Sequence, residues 1–124
     1  MHKTIHLVDD DRNVRTALAR LLMSGGYTVH EYASGAELIE AVDGLTEGCI
    51  LLDINMPELD GFAVTKVLAD HAVQLPVVMM TGAGDLTLLA WKAGVSAYLP
   101  KPFGKQELLA VLDQIASDQF VATV

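Results

Sequence analysis

The feature that most limits what this chain can become is its alternation of short apolar runs with amphipathic helical patterns. Cys49-Ile50-Leu51-Leu52 and the stretch from Leu75 to Met80 are solid apolar runs, the mark of strands covered on both faces. Thr4-Ile5-His6-Leu7-Val8, Tyr27 to Tyr32 and Ser96 to Leu99 supply three further strand candidates. Between them, apolar residues recur at helical spacing. Val14, Leu18, Leu21 and Leu22 form one stripe, stopped by Gly25-Gly26, and Leu38, Ile39 and Val42 form the next, opened by the capping box Ser34-Gly35-Ala36-Glu37 and ended by Gly44. Phe62, Val64, Val67 and Leu68 follow Asp60-Gly61, a further helix ends near Gly94, and Leu108, Val111, Leu112 and Ile115 give the last stripe. Strict alternation of five strands with five helices requires crossover connections. Right-handed crossovers lead to an α/β fold with a doubly wound parallel sheet.

A chain of 124 residues, 52% of them hydrophobic, suffices for one domain whose core needs neither disulfides nor a structural metal. We expect that domain over residues 1–118, with 119–124 as a tail or truncated linker. No run approaches the ~18 apolar residues of a membrane span. The first residues carry no apolar leader ahead of their acids, so we expect a cytoplasmic protein without membrane contact. Eight basic against sixteen acidic residues leave a net charge of −8, which repels phosphate backbones and argues against direct nucleic-acid binding. The lone Cys49 excludes an internal disulfide and the multi-cysteine zinc patterns. His2, His6, His30 and His71 lack ligand spacing and read as surface or strand-end residues.

In a doubly wound sheet, ligands gather at the carboxyl ends of the strands. The first strand delivers Asp9-Asp10-Asp11 there, the third Asp53, the fourth Thr81-Gly82 and the fifth Lys101-Pro102. Taken singly these have plain readings: a helix cap, a turn acid, a flexible connection, a surface lysine. Together they gather several carboxylates at one edge. Two like charges at about 5 Å repel by roughly 3 kcal/mol at an effective dielectric of ~20, so such a cluster calls for cations. Lys101 supplies one, and an all-oxygen ligand set points to Mg²⁺ or Mn²⁺ for the rest. A carboxylate in that setting can attack phosphorus and form an aspartyl phosphate. The cation, the lysine and the threonine hydroxyl would stabilise the phosphoryl oxygens.

These residues match a known family. Leu7-Val8-Asp9-Asp10-Asp11, the stretch from Leu52-Asp53 through Asn55-Met56-Pro57 to Asp60-Gly61, Met80-Thr81-Gly82, and Tyr98-Leu99-Pro100-Lys101-Pro102-Phe103 resemble the receiver domain of two-component response regulators over residues 3–117. Thr81-Gly82-Ala83-Gly84-Asp85 and Lys101-Pro102-Phe103 are similar to regulators of the nitrogen-fixation type. The resemblance implies a flavodoxin-like sheet of order 2-1-3-4-5. It makes Asp53 the phospho-acceptor and places it in the metal site with Asp9, Asp10 and Asn55, where Asp10 binds the metal directly, Asp9 acts mainly through water and the Asn55 backbone carbonyl is the third protein ligand. Thr81 and Lys101 would bind the phosphate, with a cis peptide between Lys101 and Pro102. Asn55 and Ala83 fall at positions that tune the phosphate's lifetime, and Thr81 with Tyr98 form the switch pair. The implied partners are a sensor histidine kinase or phosphotransfer protein, an unidentified downstream protein and a phosphorylation-dependent homodimer. Such a module, working alone or cut from a longer regulator, is a phospho-acceptor in a phosphorelay rather than a conventional enzyme.

The segment from Thr81 to Lys101 is shorter than the family's usual spacing, so the fourth helix, over 85–94, is expected to be shortened or irregular. Trp91 within it reads either as a core plug or as an exposed partner anchor. Two other functions compete. A phosphatase with an aspartyl nucleophile would need an acid two residues after Asp53, where Asn55 cannot donate a proton. A non-phosphorylated interaction module with the receiver fold would keep the architecture without the chemistry.

Overall fold

The computed structural model describes residues 4–53, 61–81 and 96–122. Five parallel strands, β1 (Thr4–Val8), β2 (Thr28–Tyr32), β3 (Cys49–Asp53), β4 (Val77–Thr81) and β5 (Ala97–Pro100), form one sheet in the order β2-β1-β3-β4-β5. The α-helices among the described residues are α1 (Arg12–Ser24), α2 (Gly35–Glu40), α3 (Gly61–Asp70) and the C-terminal α4 (Lys105–Ala122). The doubly wound sheet and its order are those expected. The segment 85–94, Trp91 included, lies outside the described residues.

Burial separates the strands by position. Every residue of central β3 is buried, whereas edge strand β2 has only exposed and half-buried residues. On one face, Ile5, Leu7, Leu51, Val78 and Met80 pack with Leu18 and Leu22 of α1 and Leu108 and Leu112 of α4. On the other, Val8, Ile50, Leu52 and Met79 pack with Leu38 of α2 and Val64 and Leu68 of α3. Cys49 belongs to the first core, where burial pushes its thiol up to about 12. It therefore stays protonated and unreactive at neutral pH.

Helix ends follow local chemistry. The Asp11 carboxylate accepts from the Asn13 and Val14 backbone N–H groups at 2.9 and 3.2 Å and starts α1. The Gly25 N–H bonds back to Leu21 and Leu22, and Gly26, at φ +92°, turns the chain out of the helix. Ser34 Oγ accepts from the Glu37 N–H and caps α2. That helix ends at Glu40, and Val42–Gly44 is a separate 3₁₀ turn, so Val42 does not extend the α-helical stripe. Helix α4 continues through Ala122, past the expected boundary at 118.

One reading of the histidines changes. His6 is not a surface residue: it is 5% exposed in mid-β1. Its Nδ1 lies 3.2 Å from the Tyr32 hydroxyl, its Nε2 lies 3.0 Å from the Glu47 carbonyl, and its ring stacks on His30 at 5.5 Å. The β1–β2 register pairs His6 with His30 directly. Burial lowers the pKa of His6, with the neighbouring His30 acting in the same direction.

Candidate functional site

The strand order reverses between β1 and β3, which makes their carboxyl ends the natural crevice of the sheet. Asp9 follows β1 immediately and is 1% exposed, and Asp53 is the last residue of β3 at 4%. Asp10, next in the chain, is exposed. Ligand oxygens of these three residues lie within 4.8 Å of one another. Lys101, just past β5, reaches across the edge. Its Nζ lies 3.5 Å from Asp53 Oδ2 and 3.7 Å from Asp9 Oδ2. The peptide that follows it, Lys101–Pro102, is cis, as the resemblance implied.

The two oxygens of Asp9 are unequally treated. Oδ1 accepts the Asp11 N–H at 2.9 Å, while Oδ2 is buried and has no hydrogen-bond donor among the described residues. Burial holds the Asp9 carboxyl above the usual carboxylate range. The Asp11 N–H opposes that shift, the Asp53 charge adds to it, Lys101 opposes it, and Asp10 adds to it last. Among the described residues, three carboxylates face one ammonium, which leaves the edge short of positive charge. An oxygen-only donor set with one buried, undonated oxygen suits a hard divalent cation. The residues present therefore fit Mg²⁺ or Mn²⁺.

Thr81 ends β4, in register with Pro100, and so stands at the same edge by its backbone; its side chain lies outside the described residues, as do Asn55 and Ala83. Tyr98, on β5 beside Met79, is half-buried against the α3 face.

A family model for the response regulator receiver domain matches residues 5–113. The chain belongs to that family. It is 37% identical over 115 residues to the DNA-binding transcriptional regulator NtrC of Escherichia coli K12, a match covering 91% of this chain and 24% of NtrC. It is 37% identical over 110 residues to the transcriptional regulatory protein FixJ of Azorhizobium caulinodans, covering 87% of this chain and 52% of that one. This receiver domain thus spans about a quarter of the one relative and half of the other. Full-length FixJ from B. japonicum superposes with a TM-score of 0.87 at 33% identity, covering 94% of this chain and 59% of that one. A CheY-like receiver domain protein from Methanospirillum hungatei superposes at 0.82 and 30% identity, covering 99% and 100%. No helix of the described receiver domain is long and apolar enough to cross a membrane.

One residue beside the site is not singled out by the motifs. Arg15 donates from Nη1 to the Asp9 backbone carbonyl at 2.8 Å, and its Nε lies 3.4 Å from Glu31 Oε1. The available signal is modest: Asp11 as N-cap puts Arg15 one turn into α1, within reach of the loop before it.

Proposed function

We propose that this receiver domain accepts a phosphoryl group on Asp53 and transmits that event through its protein-binding surface. The observation that carries the reading is Lys101, whose ammonium stands between the buried carboxylates of Asp9 and Asp53. A carboxylate oxygen of Asp53 attacks the phosphorus of the donor. The new O–P bond forms as the bond to the leaving group breaks, and the leaving group departs with the electron pair. Lys101 pairs with the incoming phosphoryl oxygens, which bring about −1.5 to −2 of charge, and the Thr81 hydroxyl donates to one of them. Asp10, Asp53 and the Asn55 backbone carbonyl would hold Mg²⁺ or Mn²⁺, with Asp9 acting mainly through a bound water. The cation, when bound, offsets negative charge on the transferring group.

Thr81 then moves toward the phosphate and Tyr98 turns into the space it leaves, which changes the surface near β5 and α4. Asn55 and Ala83 set how long the phosphate survives. The domain is a phospho-acceptor rather than a turnover enzyme. The domain acts in the cytoplasm, its donor is a sensor histidine kinase or phosphotransfer protein, and the reader is a downstream protein or a second copy of the phosphorylated domain. Direct contact with nucleic acid is disfavoured for this segment by its net charge of −8.

Incubation with labelled acetyl phosphate tests the reading. Label is expected to require Mg²⁺, to disappear in Asp53→Asn and to be released by hydroxylamine. A folded protein that takes up neither label nor beryllofluoride in the presence of Mg²⁺ would be an interaction module instead.

A further inference from the structure

Asp9 is fixed from several directions. Its N–H donates to the Tyr32 carbonyl at 3.2 Å, and its Oδ1 accepts from Asp11. Its own carbonyl accepts from Arg15 Nη1 at 2.8 Å. The first two contacts hold the residue itself. The third holds the peptide group that leads to Asp10, because the Asp9 oxygen and the Asp10 nitrogen share one plane. Among the described residues, no hydrogen bond or ion pair restrains the exposed Asp10 side chain. The peptide before it fixes where the Asp10 Cα sits, and so the point from which its carboxylate reaches toward the other two.

Arg15 is itself restrained. Its side chain is 15% exposed, and Nε faces Glu31 on β2, next to the residue whose carbonyl takes the Asp9 N–H. A planar guanidinium can serve both acceptors with separate N–H groups in fixed relative geometry, which a lysine ammonium cannot reproduce. Glu31 also balances a positive charge that could otherwise swing toward the acidic cluster and compete there with a cation.

We propose that Arg15, anchored by Glu31, is a positioning residue that fixes the Asp9–Asp10 peptide and so sets the two acidic side chains for the divalent cation. This rests on the metal-binding role given to Asp9 and Asp10 above. Groups that orient metal ligands typically change affinity by about 10- to 100-fold when removed, and the lower end suits an oxygen site that keeps several waters.

Amide NMR spectra recorded while MgCl₂ is added to wild type, Arg15→Lys, Arg15→Gln and Glu31→Gln give both the Mg²⁺ affinity and the state of the loop. Both Arg15 variants should bind Mg²⁺ about tenfold more weakly. Their Asp10 and Asp11 amide signals should move in Mg²⁺-free protein, while those of Ile50 and Leu51 stay in place. Glu31→Gln should cause a smaller loss, and adding it to Arg15→Gln should cause no further one. If Arg15 acts only through charge, Arg15→Lys will match wild type and Arg15→Gln will bind more tightly, which overturns the proposal. Lowered thermal stability with unchanged Mg²⁺ affinity overturns it as well. Failure of wild type itself to bind Mg²⁺ would instead remove the metal-site reading on which the proposal stands.

Discussion

Asp9 has to carry a charge where water scarcely reaches it. Its carboxyl is raised chiefly by burial, so ionising it in the folded state is unfavourable. A group whose pKa folding raises stabilises the protein below its unfolded value and loses that contribution as the pH climbs through the folded one. At pH 7 the metal-free protein therefore bears a cost at this residue. Asp9→Asn is expected to raise metal-free stability at pH 7 by about 1–2 kcal/mol and to shrink the stabilisation that Mg²⁺ gives, both measured by urea unfolding. His6 responds in the opposite sense. Its pKa is lowered by burial, so its contribution is complete above the unfolded value of about 6.5 and is lost as the pH falls from there through the folded value. Stability measured from pH 7.5 to pH 5 should decline through that window, and His6→Gln should flatten the part of the decline that His6 supplies.

Among the elements, the central strands were legible because their burial is written in local composition: Cys49-Ile50-Leu51-Leu52 can satisfy its surroundings only between two covering layers. The caps at Asp11 and Ser34 were legible for the same reason, since each bonds backbone groups two or three residues ahead. The carboxylates and lysine of the site could be placed at one edge once the alternation fixed where strands end. What stayed hidden depends on register. The stacking of His6 on His30 and the reach of Arg15 to Glu31 join residues brought together only when β2 docks on β1. The short α2 shows a second limit, because Val42 continues the apolar pattern and only the backbone decides that the last turn is 3₁₀. The entry to β3 yields a sharp prediction. Gly48 adopts φ +102°, and a Cβ there would press on the Thr4 carbonyl of the neighbouring strand. Gly48→Ala should cost about 2 kcal/mol or more through strain and displacement of β1, read as a lower urea midpoint with an unchanged slope.

Across the whole molecule, the cation site and the fold should be thermodynamically linked. The unfolded chain does not hold Asp9, Asp10 and Asp53 within one ion's reach, so Mg²⁺ stabilises the native state by mass action. At a hundred times its dissociation constant that amounts to about 2.7 kcal/mol. Melting temperature should climb with Mg²⁺ in wild type, and the increase should be much smaller in Asp53→Asn, where one of the gathered carboxylates is gone.

Asp9 comes from the first tenth of the chain and Lys101 from its last fifth, and the parallel arrangement of all five strands is what brings them to one edge. During synthesis the acids leave the ribosome long before their ammonium partner does. A nascent chain with only β1 to β3 exposed would hold uncompensated carboxylates at its sheet edge and lack the lysine that faces the acceptor. On the function proposed above, the capacity to be phosphorylated should therefore arrive late in translation, after β5 has paired.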